Sequence, residues 1–312
     1  MNDVFIIPEL LREKAEYQAR LNLLPYDGTP EVKLQSDKKY IYVRKRINGK
    51  LTSTYIDVYS DELYQLLLKN NRESKELKKR IRKIDKSLAE LGYIQNELSP
   101  QIILNIEFAR INMKSNIYDQ AVLEGIATTF PQTETIIDNG LVSGMTASDI
   151  QKILNLKHAW EFILDSDIAT SPTDYYILCN IAKLVNEGFY ADGGKIRSVP
   201  VTIGGTSYVP QLPIEVDVKE VIHSIIASNK DDISKAIDLC LYCMKTQIFN
   251  DGNKRTAVIF ANHYLISKAK GLIVIPEKEV PFFKELLVKY YENNDIEKIY
   301  DFIKSKCWRK LK

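Results

Sequence analysis

The segment 247–257 (QIFNDGNKRTA) holds the residue types and spacing best suited to chemistry, and it lies between two predicted helices. Its turn, 251–253, consists of residues that favour turns over helix interiors, so one helix should end before it and another begin at its close. The first turn of the second helix presents free backbone N–H groups and the positive end of the helix dipole, and Lys254 and Arg255 add full charges there. Such an arrangement suits phosphate groups, and the Asp251 carboxylate can hold Mg²⁺ against them. An ordinary solvated helix–turn–helix has the same composition, so the turn alone leaves both interpretations open.

The elements that must position this turn are mostly helical. Apolar residues recur at helical spacing and predict helices over 101–114, 117–130, 146–166, 172–188, 214–228, 231–249, 253–269, 279–293 and 295–306. The segment 196–209 (IRSVPVTIGGTSYV) differs, because its residues alternate and it contains Gly204-Gly205. It predicts a β-hairpin that projects from the helical body.

The N-terminal part is expected to hold a β-hairpin and a long charged helix. Residues 39–59 are rich in β-branched and aromatic residues and turn at Asn48-Gly49, which predicts the hairpin. Ser60 can cap a helix that runs to about Leu91. An apolar stripe of this helix recurs at spacings of three and four, at Leu77, Ile81, Ile84, Leu88 and Leu91. The stripe predicts a packing or dimerisation arm, so a homodimer is one expected partner arrangement.

Basic charge collects in this N-terminal part. Residues 1–86 hold 19 Lys and Arg against 13 Asp and Glu, and Tyr40, Tyr42 and Tyr55 alternate with Lys and Arg. Aromatic rings among cations suit contacts with nucleic acid. A strand core with surface charge explains the same pattern, and we favour that interpretation.

The bulk properties indicate a globular protein of the cytoplasm. The 312 residues are 45% hydrophobic and 27% charged, and no stretch approaches the roughly 18 apolar residues of a membrane helix. The start of the chain has no basic segment followed by an apolar one, so no secretion signal or membrane partner is expected. Cys240 and Cys243 form a CxxC, but no second pair exists, so two buried thiols on a core helix are expected.

From about residue 101 to 306 the chain resembles a Fic (Fido) domain, whose signature is HxFx(D/E)GN(G/K)R. The signature is matched in order by Phe249, Asp251, Gly252, Asn253, Lys254 and Arg255. The segment 193–210 resembles the flap that docks the backbone of a target protein. Leu123-Glu124-Gly125-Ile126 resembles the inhibitory helix motif of the subgroup in which that helix precedes the core. We therefore expect a basic N-terminal module over 1–95 and a Fic domain with its inhibitory-like helix over 96–312.

The resemblance implies a mainly α fold with a Fic helical core and a β-hairpin flap. It implies transfer of AMP from Mg-ATP to a hydroxyl side chain of a protein target. Nucleotide binding falls to Gly252, Asn253, Lys254 and Arg255, and Mg²⁺ binding to Asp251. Target docking falls to the flap residues Arg197, Val199, Val201, Ile203, Gly204 and Gly205. The inhibitory-like residue is Glu124.

Three positions depart from the family pattern. Gln247 occupies the slot of the catalytic His, and a neutral amide cannot take up the proton of the attacking hydroxyl. Val258 replaces a second Arg that usually pairs with the inhibitory Glu, so Glu124 is expected to lack its partner. Lys254 replaces the more common Gly, and the resulting NKRTA resembles Doc, a relative that phosphorylates its target. The expected function is weakened AMP transfer; an inactive nucleotide- or protein-binding module and a Doc-like phosphotransferase are the alternatives.

Overall fold

The computed structural model describes residues 3–47, 49–140 and 142–311. The chain folds into two compact units, Met1–Ile94 and Gln95–Lys312. Within the described residues, no helix combines the length and the apolar character needed to cross a membrane.

The N-terminal unit is a three-stranded antiparallel sheet with two helices. In chain order its elements are α1 (Asp3–Leu23), β1 (Thr29–Gln35), β2 (Lys38–Ile47), β3 (Lys50–Val58) and α2 (Asp61–Glu90). The predicted hairpin is confirmed by β2 and β3, although Asn48 of its turn lies outside the described residues. The Ser60 side chain accepts a hydrogen bond from the Leu63 N–H and begins the predicted long helix. The sequence interpretation missed α1 and β1.

Two small cores hold this unit together. Ile41, Val43 and Leu67 pack one face of the sheet against α2. Leu11 of α1 packs against Ile84 and Leu88, which belong to the predicted apolar stripe of α2. The stripe is therefore buried by another helix of the same chain.

The C-terminal unit is mainly α. Its helices are α3 (Pro100–Ile111), α4 (Met113–Leu123), α5 (Phe130–Ile137), α6 (Ala147–Ile163), α7 (Ser166–Ala169), α8 (Tyr175–Val185), α9 (Glu215–Ala227), α10 (Asp232–Thr246), α11 (Asn253–Ser267), α12 (Val280–Asn293) and α13 (Ile296–Phe302). A 3₁₀ turn covers Glu277–Glu279, a π-helical turn covers Ile303–Cys307, and two short strands, β4 (Leu272–Ile273) and β5 (Trp308–Arg309), pair antiparallel. Each helix predicted from the apolar spacing has a counterpart, although the one predicted over 117–130 spans Met113–Leu123; α5, α7 and the β4–β5 pair were not foreseen.

The centre of this unit is α11, which is buried almost along its whole length. It packs against α10, α8 and α6, so it has no solvent-exposed polar face. Cys240 and Cys243 lie buried as free thiols in α10, and burial raises their pKa, to about 12 for Cys240. Both are inert core residues, as the sequence predicted.

The β-hairpin predicted over 196–209 is wrong. None of these residues is in a strand; they form an extended segment with a turn at Gly204-Gly205. Pro200 lacks a backbone donor for a strand ladder. The carbonyl oxygens of Val199 and Pro210 accept hydrogen bonds from a side chain, Arg197, so neither is directed at an opposing strand.

Candidate functional site

The loop between α10 and α11 depends on two residues with positive φ. Gln247 ends α10 at φ 49° and ψ 61°, and Gly252 precedes α11 at φ 71°. A Cβ at position 252 would lie 2.8 Å from both Asn186 Oδ1 and Val185 Cγ1. Glycine is therefore required here by conformation and by space. The close approach brings the start of α11 against the end of α8.

Two asparagine side chains fix the path of this loop. Asn253 Oδ1 accepts from the Phe249 N–H at 2.9 Å, and its Nδ2 donates to the Phe249 carbonyl at 2.7 Å. Asn186 Nδ2 donates to the Asp251 carbonyl at 3.0 Å and to the Gly193 carbonyl at 3.2 Å. The Asn253 side chain is thus occupied in shaping the loop, which leaves its backbone N–H as the group for an anion. Sequence reasoning missed Asn186, since a lone Asn at a helix end carries no distinguishing signal.

The side chain of Gln247 is held at both ends. Its Nε2 donates to the Met244 carbonyl at 2.6 Å, and its Oε1 accepts from Asn253 Nδ2 at 3.2 Å. The carboxamide is half-buried and contains no group that titrates. At the position of the family base, this chain places a neutral group that is already hydrogen-bonded.

Arg255 is a buried cation at the start of α11. The residue is 2% exposed; Nη2 pairs with Asp251 Oδ2 at 3.0 Å, and Nη1 donates to the Val185 carbonyl at 3.3 Å. Its Nε is buried and has no hydrogen-bond partner among the described residues. The Asp251 side chain remains 43% exposed and can offer oxygen to a cation. Arg255 and Asp251 are therefore held in place together, with one buried donor unused.

The missing second arginine does not leave Glu124 without cations. Glu124 Oε2 lies 3.8 Å from Lys254 Nζ and 3.9 Å from Arg255 Nε. Gln120, one turn earlier, donates to the Arg255 carbonyl at 2.7 Å. Val258, at the position of the second arginine, is buried in the core. The acidic end of α4 thus faces the two cations that would otherwise meet phosphate.

Arg197 anchors the predicted flap and does not line its surface. The residue is 2% exposed, and burial lowers its pKa. Its Nε donates to the Gln247 carbonyl at 2.6 Å, and its other nitrogens donate to the carbonyls of Val199, Pro210 and Gln211. The backbone N–H of Arg197 also donates to the Ile248 carbonyl at 2.9 Å. This one side chain ties the segment directly to the catalytic-base slot.

The remaining predicted flap residues lie outward or half-buried. Val199, Gly204 and Gly205 are exposed, while Val201 and Ile203 are half-buried. The far end is fixed to α12, because Glu292 Oε1 accepts from Thr206 Oγ1 at 2.7 Å and from the Ser207 N–H at 2.9 Å. The segment is therefore held at both ends and free along its middle.

A cavity of about 820 Å³ opens between this segment and α12. Lys254 from the motif and Ile203, Gly204 and Gly205 from the segment line it, together with Lys284, Glu285, Lys289, Tyr291 and Glu292 from α12. Its volume is in the range of small-molecule sites. A second cavity of about 620 Å³ lies elsewhere in the unit, between α8, α9 and α11.

Neither of two other histidines can replace the base. His263 is fully buried, and both of its ring nitrogens are hydrogen-bonded. Its Nδ1 lies 2.9 Å from Thr173 Oγ1, and its Nε2 lies 2.9 Å from the Ile168 carbonyl oxygen. Burial lowers its pKa to about 4. His223 is exposed and lines the second cavity, which contains no residue of 247–257.

The donor set fits a magnesium-bound polyphosphate. Helix α11 begins without a side-chain cap, so its first N–H groups remain available. The unused Arg255 Nε, the half-exposed Lys254 and the cavity beside them supply positive charge and space. A carboxylate such as Asp251 together with phosphate oxygens is the ligand set that Mg²⁺ prefers.

Known proteins match the two parts of the chain separately. A sequence model of the Fic/DOC family matches residues 172–265. A model of a domain of unknown function, DUF6788, matches residues 6–65. A search among curated protein sequences finds no match.

Solved structures of Fic proteins share the fold at low sequence identity. Fic-1 (residues 134–508) from C. elegans is 17% identical with a TM-score of 0.53, and the alignment covers 78% of this chain and 74% of that one. A Fic-domain signalling protein from Bacteroides thetaiotaomicron VPI-5482 is 17% identical with a TM-score of 0.55, covering 68% and 87%. A Fic family protein from Desulfovibrio desulfuricans G20 is 16% identical with a TM-score of 0.52, covering 68% and 73%. The family match and the shared fold together show that this chain contains a Fic domain.

Proposed function

We propose that the chain binds Mg-ATP at residues 251–255 and transfers AMP to a protein hydroxyl only slowly, because its base position cannot accept a proton. In this reaction the hydroxyl oxygen forms a bond to the α-phosphorus, pyrophosphate leaves, and the hydroxyl proton must go to a base. Arg255 and the N–H groups at the start of α11 would bind phosphate oxygens. Mg²⁺ held by Asp251 would offset phosphate charge. The flap would hold the backbone of the target protein.

The state of Gln247 is the observation that carries this proposal. Its amide nitrogen and oxygen are both hydrogen-bonded, and neither takes up a proton near neutral pH. Loss of a positioned general base costs on the order of 10²–10⁴-fold in rate. The cations, the glycine turn and the cavity are nevertheless in place, so binding is expected to survive where turnover is weak.

The test compares the natural chain with Gln247→His. Histidine tolerates positive φ better than most residues, so it suits the left-handed conformation at this position. Each protein is incubated with ATP labelled at the α- or the γ-phosphate, and label on the chain itself and on lysate proteins is measured. We expect α-label transfer to rise by about 10²–10⁴-fold in the histidine variant. Gln247→Ala is the matched control, since it also removes both amide contacts but supplies no base.

The outcomes separate the three functions that the sequence left open. A rise in α-label with histidine but not alanine supports AMP transfer limited by the base. Label from the γ-phosphate alone identifies phosphotransfer, consistent with Lys254 standing in the cavity beside the flap. No label from either position, while Mg-ATP still raises the melting temperature, identifies a binding module. If Mg-ATP raises the melting temperature of neither the natural chain nor Gln247→Ala, the proposed nucleotide site is rejected.

A further inference from the structure

Among its described residues, the N-terminal unit packs a helix on one face of its sheet and leaves the face that carries Tyr40 and Tyr42 without one. The other face carries Ile41 and Val43, which pack on Leu67 of α2. Side chains alternate along a strand, so Tyr40 and Tyr42 point away from that core. Tyr55 of β3 pairs with Tyr42 in the strand register and shares its face. The three tyrosines are thus not the strand core that the sequence favoured.

The three rings form one aromatic patch, which we call the tyrosine face. The ring centroids of Tyr40 and Tyr55 are 6.1 Å apart, and those of Tyr42 and Tyr55 are 5.6 Å apart. Tyr55 is 50% exposed, and the other two are half-buried. The Lys33 ammonium of β1 lies 4.3 Å from the centre of the Tyr42 ring. Exposed aromatic rings gathered in one patch present a surface on which another flat ring can stack.

Positive charge frames the tyrosine face. Lys38, Arg44 and Arg46 of β2 alternate in phase with Tyr40 and Tyr42 and are exposed. Lys33 adds a fourth cation, and its ammonium also lies 3.9 Å from the carboxylate of Glu31, which is opposite Tyr42 in the register. A second acid, Asp57, lies near Tyr55. The face therefore combines ring stacking with a net positive border.

We propose that the tyrosine face binds single-stranded nucleic acid. Unpaired bases stack on aromatic rings whatever their sequence, while flanking Lys and Arg side chains bind the phosphates. Duplex bases are already stacked on each other and cannot lie on the rings, so a duplex should bind more weakly. This inference concerns the N-terminal unit and does not depend on the activity of the Fic domain.

The test measures binding of the full chain to a fluorescein-labelled 20-mer of dT, and to the same length of U, by fluorescence anisotropy. Tyr55→Ala is expected to weaken binding about 5- to 150-fold, the range for loss of one stacked base. Tyr55→Phe keeps the ring and is expected to bind like the natural chain. Tyr26→Ala is the matched control, since Tyr26 lies in the same unit, is 49% exposed and has no ring contact with the three tyrosines among the described residues.

Salt dependence tests the cations independently. If Arg44 and Arg46 each bind one phosphate, the double variant Arg44→Gln/Arg46→Gln should lower the slope of log K against log salt by about 1.4. Arg82→Gln/Lys83→Gln removes the same charge from the exposed side of α2 and should leave the slope unchanged. This pair also carries the test if Tyr55→Ala fails to fold.

Several results would overturn the proposal. One is failure of the natural chain to bind either 20-mer at 50 mM salt, and another is equal competition by a duplex of the same length. Equal loss in Tyr26→Ala and Tyr55→Ala, or equal salt slopes in the two charge variants, would reject the tyrosine face as the site. Each result is read on protein with an unchanged circular dichroism spectrum.

Discussion

Replacing Arg197 by methionine should release the flap from the catalytic-base slot while the helical core stays folded. Like arginine, methionine has a long unbranched side chain, but it donates no hydrogen bonds. The guanidinium of Arg197 donates to four backbone carbonyls and has no carboxylate partner among the described residues. The guanidinium therefore stabilises the fold by joining the flap to Gln247, two segments that are not paired as strands.

The cost follows from which of those carbonyls can reach water. Val199 and Gln211 are exposed, so their oxygens can hydrate once the arginine is gone. Gln247 is half-buried and Pro210 is buried, so their oxygens are left without a partner. At about 1–3 kcal/mol for each unpaired buried group, the substitution should destabilise the native flap by about 2–6 kcal/mol. If the flap opens, its carbonyl oxygens can bind water and part of this free-energy cost is removed. Local opening of the flap is therefore expected before global unfolding.

Hydrogen exchange followed by mass spectrometry measures this directly. In Arg197→Met, the hydrogen-bonded amides of the flap, those of residues 197, 207 and 208, should exchange about 30-fold or more faster, the factor that corresponds to about 2 kcal/mol, with α11 unchanged. Lys195→Met is the control, because Lys195 pairs with Asp192 on the exposed surface and such pairs contribute little. Equal exchange of the amides of 197, 207 and 208 in the two variants would refute the assignment of Arg197 as the anchor.

Two further predictions concern the core around the site. Burial lowers the pKa of His263 from 6.5 to about 4, so as the pH falls this histidine takes up its proton in the unfolded chain before it does so in the folded one. The free energy of unfolding should therefore drop by about 3 kcal/mol between pH 7 and pH 4. Urea unfolding at several pH values checks this, and His263→Gln but not the exposed His223→Gln should flatten the dependence. Gly252→Ala should cost about 2–4 kcal/mol through strain and its contact with Asn186, whereas Gly204→Ala, with open space around it, should cost under about 1 kcal/mol in the same assay.

The motif turn could be predicted from sequence because its residue types act locally. Asp251 and Gly252 disfavour helix interiors wherever they occur, and the apolar spacing around them fixes two helices at that distance. The exposed face of the N-terminal sheet could not be predicted in the same way. The alternation at Tyr40 and Tyr42 gives two faces but does not say which one α2 covers. That choice is made by Ile41, through a contact with a helix that follows later in the chain.

The flap hairpin was mispredicted, and the cations around Glu124 were not foreseen, for one reason. The alternation over 196–209 has the period of a strand, but a strand also needs a neighbouring strand as hydrogen-bond partner. Here the Val199 carbonyl accepts a hydrogen bond from the Arg197 side chain instead. Likewise, Val258 removed one cation from the expected surroundings of Glu124, but Lys254 and Arg255 lie within 4 Å of it in space. Both outcomes are set by side chains that sequence patterns treat as independent.

The backbone, more than the side chain, holds position 247 in place. Its left-handed conformation and its carbonyl, bound by Arg197, fix the loop whichever side chain is present. The Gln247 amide adds one contact to Met244 and a longer one, at 3.2 Å, to Asn253, which is also held by two bonds to Phe249. The side chain at this position can therefore be exchanged without disturbing the turn at residues 251–253. Because the backbone fixes the loop, Gln247→His is expected to change the rate of the proposed AMP transfer and to leave the proposed nucleotide binding intact.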